Sequence, residues 1–111
     1  MVQPASSPEG VSADALREFR IALASTARRY KRYPPLARER GWEGTAEVSI
    51  SMRGKRLPPA VELVRSSGRE ILDDQAVDMM LQAARATVLP EKLQAKDFQV
   101  RMPVQFTLED D

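Results

Sequence analysis

Cysteine and histidine are both absent from the 111 residues. Without thiols there is no disulfide framework and no thiolate metal site. Without imidazole as well, the usual nucleophile–base pairs and the soft or borderline metal centres have no members. Two carboxylates could still hydrolyse a substrate, but no pair falls where the hydrophobic pattern would bury both together. Catalysis is therefore not expected, and no cofactor, metal or small-molecule ligand is implied. Aromatic residues are only 5% of the chain, so the core has to be aliphatic, built from Leu, Val, Ile, Met and Ala. No stretch approaches the roughly 20 apolar residues of a membrane span, and no signal-peptide pattern opens the sequence. Neither sign of charge dominates: 17 Lys and Arg stand against 16 Asp and Glu, a net charge of +1. What is present, 42% hydrophobic and 30% charged residues, fits one soluble globular domain with a single core and little to spare.

The clearest pattern is Phe98–Leu108. Phe98, Val100, Met102, Val104, Phe106 and Leu108 alternate with Gln99, Arg101, Pro103, Gln105 and Thr107, as a strand with one buried face requires. Pro103 lacks a ladder donor, which favours an edge of the sheet over its centre. An exposed edge strand invites pairing with another chain unless it is covered.

Upstream, residues 1–12 open with a Pro-, Ser- and Gly-rich stretch that reads as a disordered lead-in. A helix follows over Ala13–Lys31, with Ser12 as its cap, Asp14 in its first turn and an apolar stripe of Leu16, Phe19, Leu23, Ala27 and Tyr30. Pro34 and Pro35 stop it, and a short helix at Leu36–Arg40 is closed by Gly41. Ala46, Val48, Ile50 and Met52 alternate with polar residues as a strand, Arg53-Gly54-Lys55 turns, and Ala60–Ser66 returns less regularly. Ser67 to Glu70 matches a capping box for a helix to about Ala86 that buries Leu72, Ala76, Met79, Met80 and Ala83. Glu91–Asp97 reads as a polar loop. Strands with one polar face and helices for the other give α+β.

Several residues invite other readings. Arg28–Tyr33 interleaves cations with aromatics, a nucleic-acid signal. The near-neutral chain, and the place of Tyr30 in the apolar stripe, favour a solvated helix end. Met79 and Met80 sit at core spacing, and adjacent Asp73 and Asp74 point about 100° apart on a helix, which suits the helix dipole better than a metal. Trp42, beside two glycines, is expected to cover one end of the core. The acidic tail, Glu109 to Asp111, would discourage strand addition from its side.

The order of motifs resembles the C-terminal domain of TonB proteins over roughly residues 30–109. It rests on Tyr33-Pro34, Ala37, Gly44 opening an alternating strand, Gly54 at the turn, Val64 to Gly68, Leu72-Asp73, Ala76, Pro90, and Met102 to Phe106. The resemblance implies a three-stranded antiparallel sheet with two helices on one face and a long C-terminal edge strand. The Ala13–Lys31 helix would be an extra N-terminal element. It divides the chain into a lead-in (1–12), the N-terminal helix (13–32) and the TonB-like domain (33–111). It also implies a role: a periplasmic domain of an energy transducer anchored in the inner membrane. Such a transducer couples proton-motive force, through ExbB and ExbD, to outer-membrane receptors that import siderophores, haem or vitamin B12. A receptor segment, the TonB box, would add as a strand to the last strand. Its contacts here would be Phe98, Gln99, Val100, Arg101, Met102, Val104, Gln105, Phe106, Thr107 and Leu108, with further receptor contact at Lys31, Arg32, Tyr33 and Pro34. Where other members carry a glutamine-rich segment before Tyr-Pro, this chain has Tyr30, Lys31 and Arg32, a basic patch suited to an acidic receptor surface. The anchor and linker of such a transducer would lie before residue 1. Three alternatives stay open: a TolA-like envelope-integrity domain, a self-associating domain that closes its edge on a second copy, and a small RNA-binding α+β module.

Overall fold

Burial alternates without a break along the last strand, Asp97–Phe106: Phe98, Val100, Met102, Val104 and Phe106 are buried and the residues between them exposed. The computed structural model describes residues 11–54 and 58–108. In chain order its elements are α1 (Ala13–Tyr30), α2 (Pro35–Arg40), β1 (Gly44–Arg53), β2 (Ala60–Arg65), α3 (Glu70–Ala86), a 3-10 turn (Glu91–Leu93) and β3 (Asp97–Phe106). The strands form one antiparallel sheet in the order β2-β1-β3, so the fold is α+β with the last strand at an edge.

One face of the sheet is covered by α1 and α3, which pack on each other. α3 lies over β1 and β2, and α1 over β3. Phe19 and Leu23 of α1, Val48 and Ile50 of β1, Leu72 of α3 and Phe106 of β3 are fully buried between the layers. Each such side chain removed from water stabilises the fold by about 1.5–3 kcal/mol. The rings of Phe19 and Phe98 meet edge to face with centroids 5.4 Å apart, which joins α1 to β3. The N-terminal helix is thus part of the core. Its stripe is buried at Phe19, Leu23 and Ala27 and half-buried at Leu16 and Tyr30.

Two glycines are fixed by geometry. Gly41 ends α2 at φ +69°, and its cap amide reaches the carbonyls of Ala37 and Arg38. At Gly44 a Cβ would come within 2.6 Å of the Ser67 carbonyl oxygen, so β1 starts where the chain before α3 crosses it.

The structure corrects the sequence reading in five places. First, Ser67 and Glu70 do not form a capping box. Gly68, at φ +101°, turns the chain so that Arg69 becomes the N-cap, without a side-chain bond, and Ser67 is left outside the helix. Second, the Glu91–Asp97 stretch is not merely polar, because its 3-10 turn drives Leu93 fully into the core. Third, the return strand ends at Arg65 and carries a bulge: Val48 pairs with Leu63 and Glu47 with Arg65, leaving Val64 unopposed and exposed. Fourth, Thr107 and Leu108 lie beyond the edge strand. β1 begins at Gly44, opposite Phe106, so the β1–β3 ladder ends there. The N-terminal helix likewise ends one residue early, since Lys31 is already extended. The lead-in up to Gly10, Lys55 of the turn and the acidic tail from Glu109 fall outside the described residues.

Candidate docking edge along the last strand

Register decides which backbone groups of β3 are open. β1 and β3 pair Gly44 with Phe106, Ala46 with Val104 and so on to Met52 with Phe98, and beyond the strands the Gly54 amide donates to the Lys96 carbonyl at 3.2 Å. That bond continues the register, so the even-numbered pairs are the ones that exchange backbone hydrogen bonds. Antiparallel alternation turns the N–H and C=O of Gln99, Arg101, Pro103 and Gln105 away from the sheet. A side-chain contact agrees: Lys31 Nζ donates to the Gln105 carbonyl at 2.5 Å from the open side. The edge thus presents amides at Gln99, Arg101 and Gln105, with carbonyls at those residues and at Pro103, whose missing N–H leaves a gap in the row of donors. Of the residues singled out in the sequence, Phe98, Val100, Met102, Val104 and Phe106 bury their side chains beneath the helices. Their role at this edge is to hold it straight.

The second group converges on the C-terminal end of β3. Lys31 Nζ sits 5.3 Å from the centre of the Phe106 ring, and Tyr33 meets the same ring edge to face at 5.7 Å. Burial, with the Glu43 carboxylate adding and Arg38 opposing, pushes the Tyr33 phenol above its usual range. It therefore stays protonated at neutral pH and donates its hydroxyl proton to the Trp42 carbonyl. Leu108 leaves the strand by donating its amide to the Glu43 carboxylate at 2.8 Å. Arg32 is exposed and Pro34, half-buried, caps α2. Trp42 is half-buried at this end of the core, with the Arg69 guanidinium 4.2 Å from its ring centre.

What the sequence did not indicate is the second side of the edge. α1 runs alongside β3 in the same sense. Two clefts, of about 740 and about 500 Å³, lie between them. Ala24, Met102 and Pro103 line both clefts, so the two form one groove along the strand. Periodicity shows which face of a helix is buried, but not which strand it covers. Among the described residues no group of acidic side chains is arranged to hold a metal ion, and no helix is long and apolar enough to cross a membrane.

Asp73 replaces the capping box as the anchor of the loop that crosses Gly44. It accepts from the Ser66 hydroxyl at 2.5 Å, the Ser67 amide at 2.7 Å and the Ser67 hydroxyl at 2.7 Å. Burial pushes its carboxyl up, but these three bonds together outweigh burial and hold its pKa below the ordinary value. A carboxylate with a depressed folded pKa contributes stability that is complete above its unfolded pKa of about 3.9 and is lost as pH falls through the folded value. Asp73→Asn is expected to cost about 1–3 kcal/mol at pH 7. It should also flatten the acid limb of stability below about pH 4. Urea melts of both proteins across that range check both expectations.

The comparisons with known proteins bear on the family and the fold. Residues 29–108 match the model of the Gram-negative bacterial TonB protein C-terminal family. The chain is 37% identical over 78 residues to protein tonB2 of Pseudomonas aeruginosa, covering 68% of this chain and 28% of that protein. It is 29% identical to protein TonB of Vibrio cholerae, covering 96% of this chain and 43% of that protein. It thus spans less than half the length of these relatives. The solution structure of the Helicobacter pylori TonB-CTD (residues 179–285) superposes with a TM-score of 0.72 at 25% identity, over 99% of this chain and all of that one. A shorter form of that domain (residues 194–285) gives 0.60 at 26% identity over 90% of this chain. With a family model that covers most of its length and a solved TonB-CTD that superposes over 99% of it, the chain belongs to the TonB C-terminal family.

Proposed function

We propose that this domain is the periplasmic receptor-docking part of a TonB energy transducer, without catalysis of its own, and that it captures the TonB box of outer-membrane receptors as a fourth strand along β3. The observation that carries this is the open edge: backbone groups of Gln99, Arg101 and Gln105 face outward from a strand whose alternate side chains are buried in the core. Main-chain hydrogen bonds would supply affinity and the groove walls selectivity. Lys31, Arg32, Tyr33 and Pro34 would contact the receptor at the end of the strand. In the intact protein an inner-membrane anchor would link the domain to ExbB and ExbD, so that proton-motive force drives import of siderophores, haem or vitamin B12.

An amide NMR titration with a TonB-box peptide from a receptor of the same organism tests the reading. Shifts are expected at Gln99, Arg101 and Gln105 and around Lys31–Tyr33. If millimolar peptide moves none of them, the docking reading is wrong. The same open edge also fits a second copy of the chain. Light scattering over a concentration series would expose that pairing by a rise in mass without peptide.

A further inference from the structure

We infer that α1 is the second wall of the docking groove and that it selects an extended segment with carboxylates at both ends of a short uncharged stretch. The inference rests on the strand-docking reading and adds the chemistry of the partner. Along the groove, α1 contributes Arg17 and Arg20 at one end and Arg28 and Lys31 at the other, with Ala24 between them. Among the described residues no acidic side chain lines either cleft. The basic pairs are 11 positions apart on a helix, a separation of about 16 Å at 1.5 Å per residue. An extended chain covers that distance in about five residues. The middle of the groove is apolar, lined by Ala24, Met102 and Pro103, and these side chains offer a charge no partner.

Among the described residues the basic ends have only weak partners. Arg17 meets Asp14 at 3.8 Å, with both side chains largely in water, where such a pair contributes little. Lys31 lies on the Gln105 carbonyl, an acceptor that an added strand needs for its own amide. Strand addition brings a competing donor to that oxygen, and a carboxylate on the incoming segment gives the ammonium a stronger partner. Lys31 would act as a removable cover over the strand edge: it blunts the edge when no partner is present and binds the partner's charge when one arrives.

The test uses one TonB-box peptide in two forms, with two glutamates or two glutamines placed on each side of its core, titrated into the domain by NMR and by calorimetry. At about 50 mM salt the glutamate form is expected to bind about tenfold more tightly, shrinking to about twofold at ~0.5 M, where screening is short-ranged. Arg20→Gln with Arg28→Gln should erase most of the difference between the two forms. Arg85→Gln, on the exposed side of α3, should leave the difference intact. Equal affinity of the two forms, with β3 amides shifting in both, would overturn the inference and leave docking standing. A glutamate preference that survives the double variant, or that Arg85→Gln reduces equally, would overturn it too by assigning the preference to net charge. If neither form moves the β3 amides, the docking reading itself fails.

Discussion

Phe106→Ala should destabilise the domain by about 3–5 kcal/mol, in the range measured for large-to-small changes in cores. Phe106 is fully buried at the point where several supports meet. Its backbone closes the β1–β3 ladder opposite Gly44, its ring takes the edge of Tyr33 and the ammonium of Lys31, and Tyr33 in turn holds the Trp42 carbonyl. Truncation leaves a cavity that the sheet cannot close, because Gly44 is already against Ser67. It also frees Tyr33 and Lys31 from their common surface. Domains of this size are stable by only about 5–15 kcal/mol, so the variant is expected to melt near or below working temperature. Phe106→Leu keeps most of the volume and should cost about 1.5 kcal/mol or less. Urea midpoints of the two variants and the parent provide the measurement. A loss below about 1 kcal/mol for alanine would mean that the end of the sheet repacks.

Much of this architecture was legible because local pattern and global fold agree. The alternation of Phe98 to Phe106 survives into the structure residue for residue, and Pro103 at an exposed position fits the edge it suggested. The stripe of α1 and the Gly41 stop are equally local, set by helix periodicity and by a positive φ. The failures share a cause, which is that they depend on what lies across space. Ser67 and Glu70 have the spacing of a capping box, but Gly68 takes the turn that would have closed it and Asp73, one helical turn on, takes the donors. Leu93 sits among charged residues and is buried because its turn folds beneath α1. The irregularity of the return strand is a bulge, visible only once Glu47 and Val48 have found Arg65 and Leu63. The candidate edge was legible as a strand, but its open backbone groups were not. Naming them requires the register with β1, and naming the groove requires knowing that α1 lies over β3.

That register has its sharpest consequence in two neighbouring substitutions with opposite outcomes. Val104→Pro should unfold the domain. Val104 pairs with Ala46 on the side facing β1, so proline removes a ladder donor from inside the sheet and sets its ring against the inner strand, at a cost of about 3 kcal/mol or more. Loss of amide dispersion in the NMR spectrum and of the cooperative urea transition is expected. Pro103→Ala changes the other side of the strand. Its side chain is exposed and its N–H would point outward, so it gives the open edge the donor it now lacks. Greater freedom of the unfolded chain should lower stability by no more than about 1 kcal/mol. One additional ladder hydrogen bond is worth about 0.5–1.5 kcal/mol, which corresponds to about two- to tenfold tighter capture of an added strand. The same donor should raise self-association at high concentration, since proline at an edge is a guard against it. A folded Val104→Pro domain would place the outward amides on the even-numbered residues, contradicting the Lys31 contact at Gln105. A Pro103→Ala domain that captures peptide no better than the parent would mean that the added strand does not use the centre of β3, and would confine docking to the amides of Gln99, Arg101 and Gln105 on either side of it.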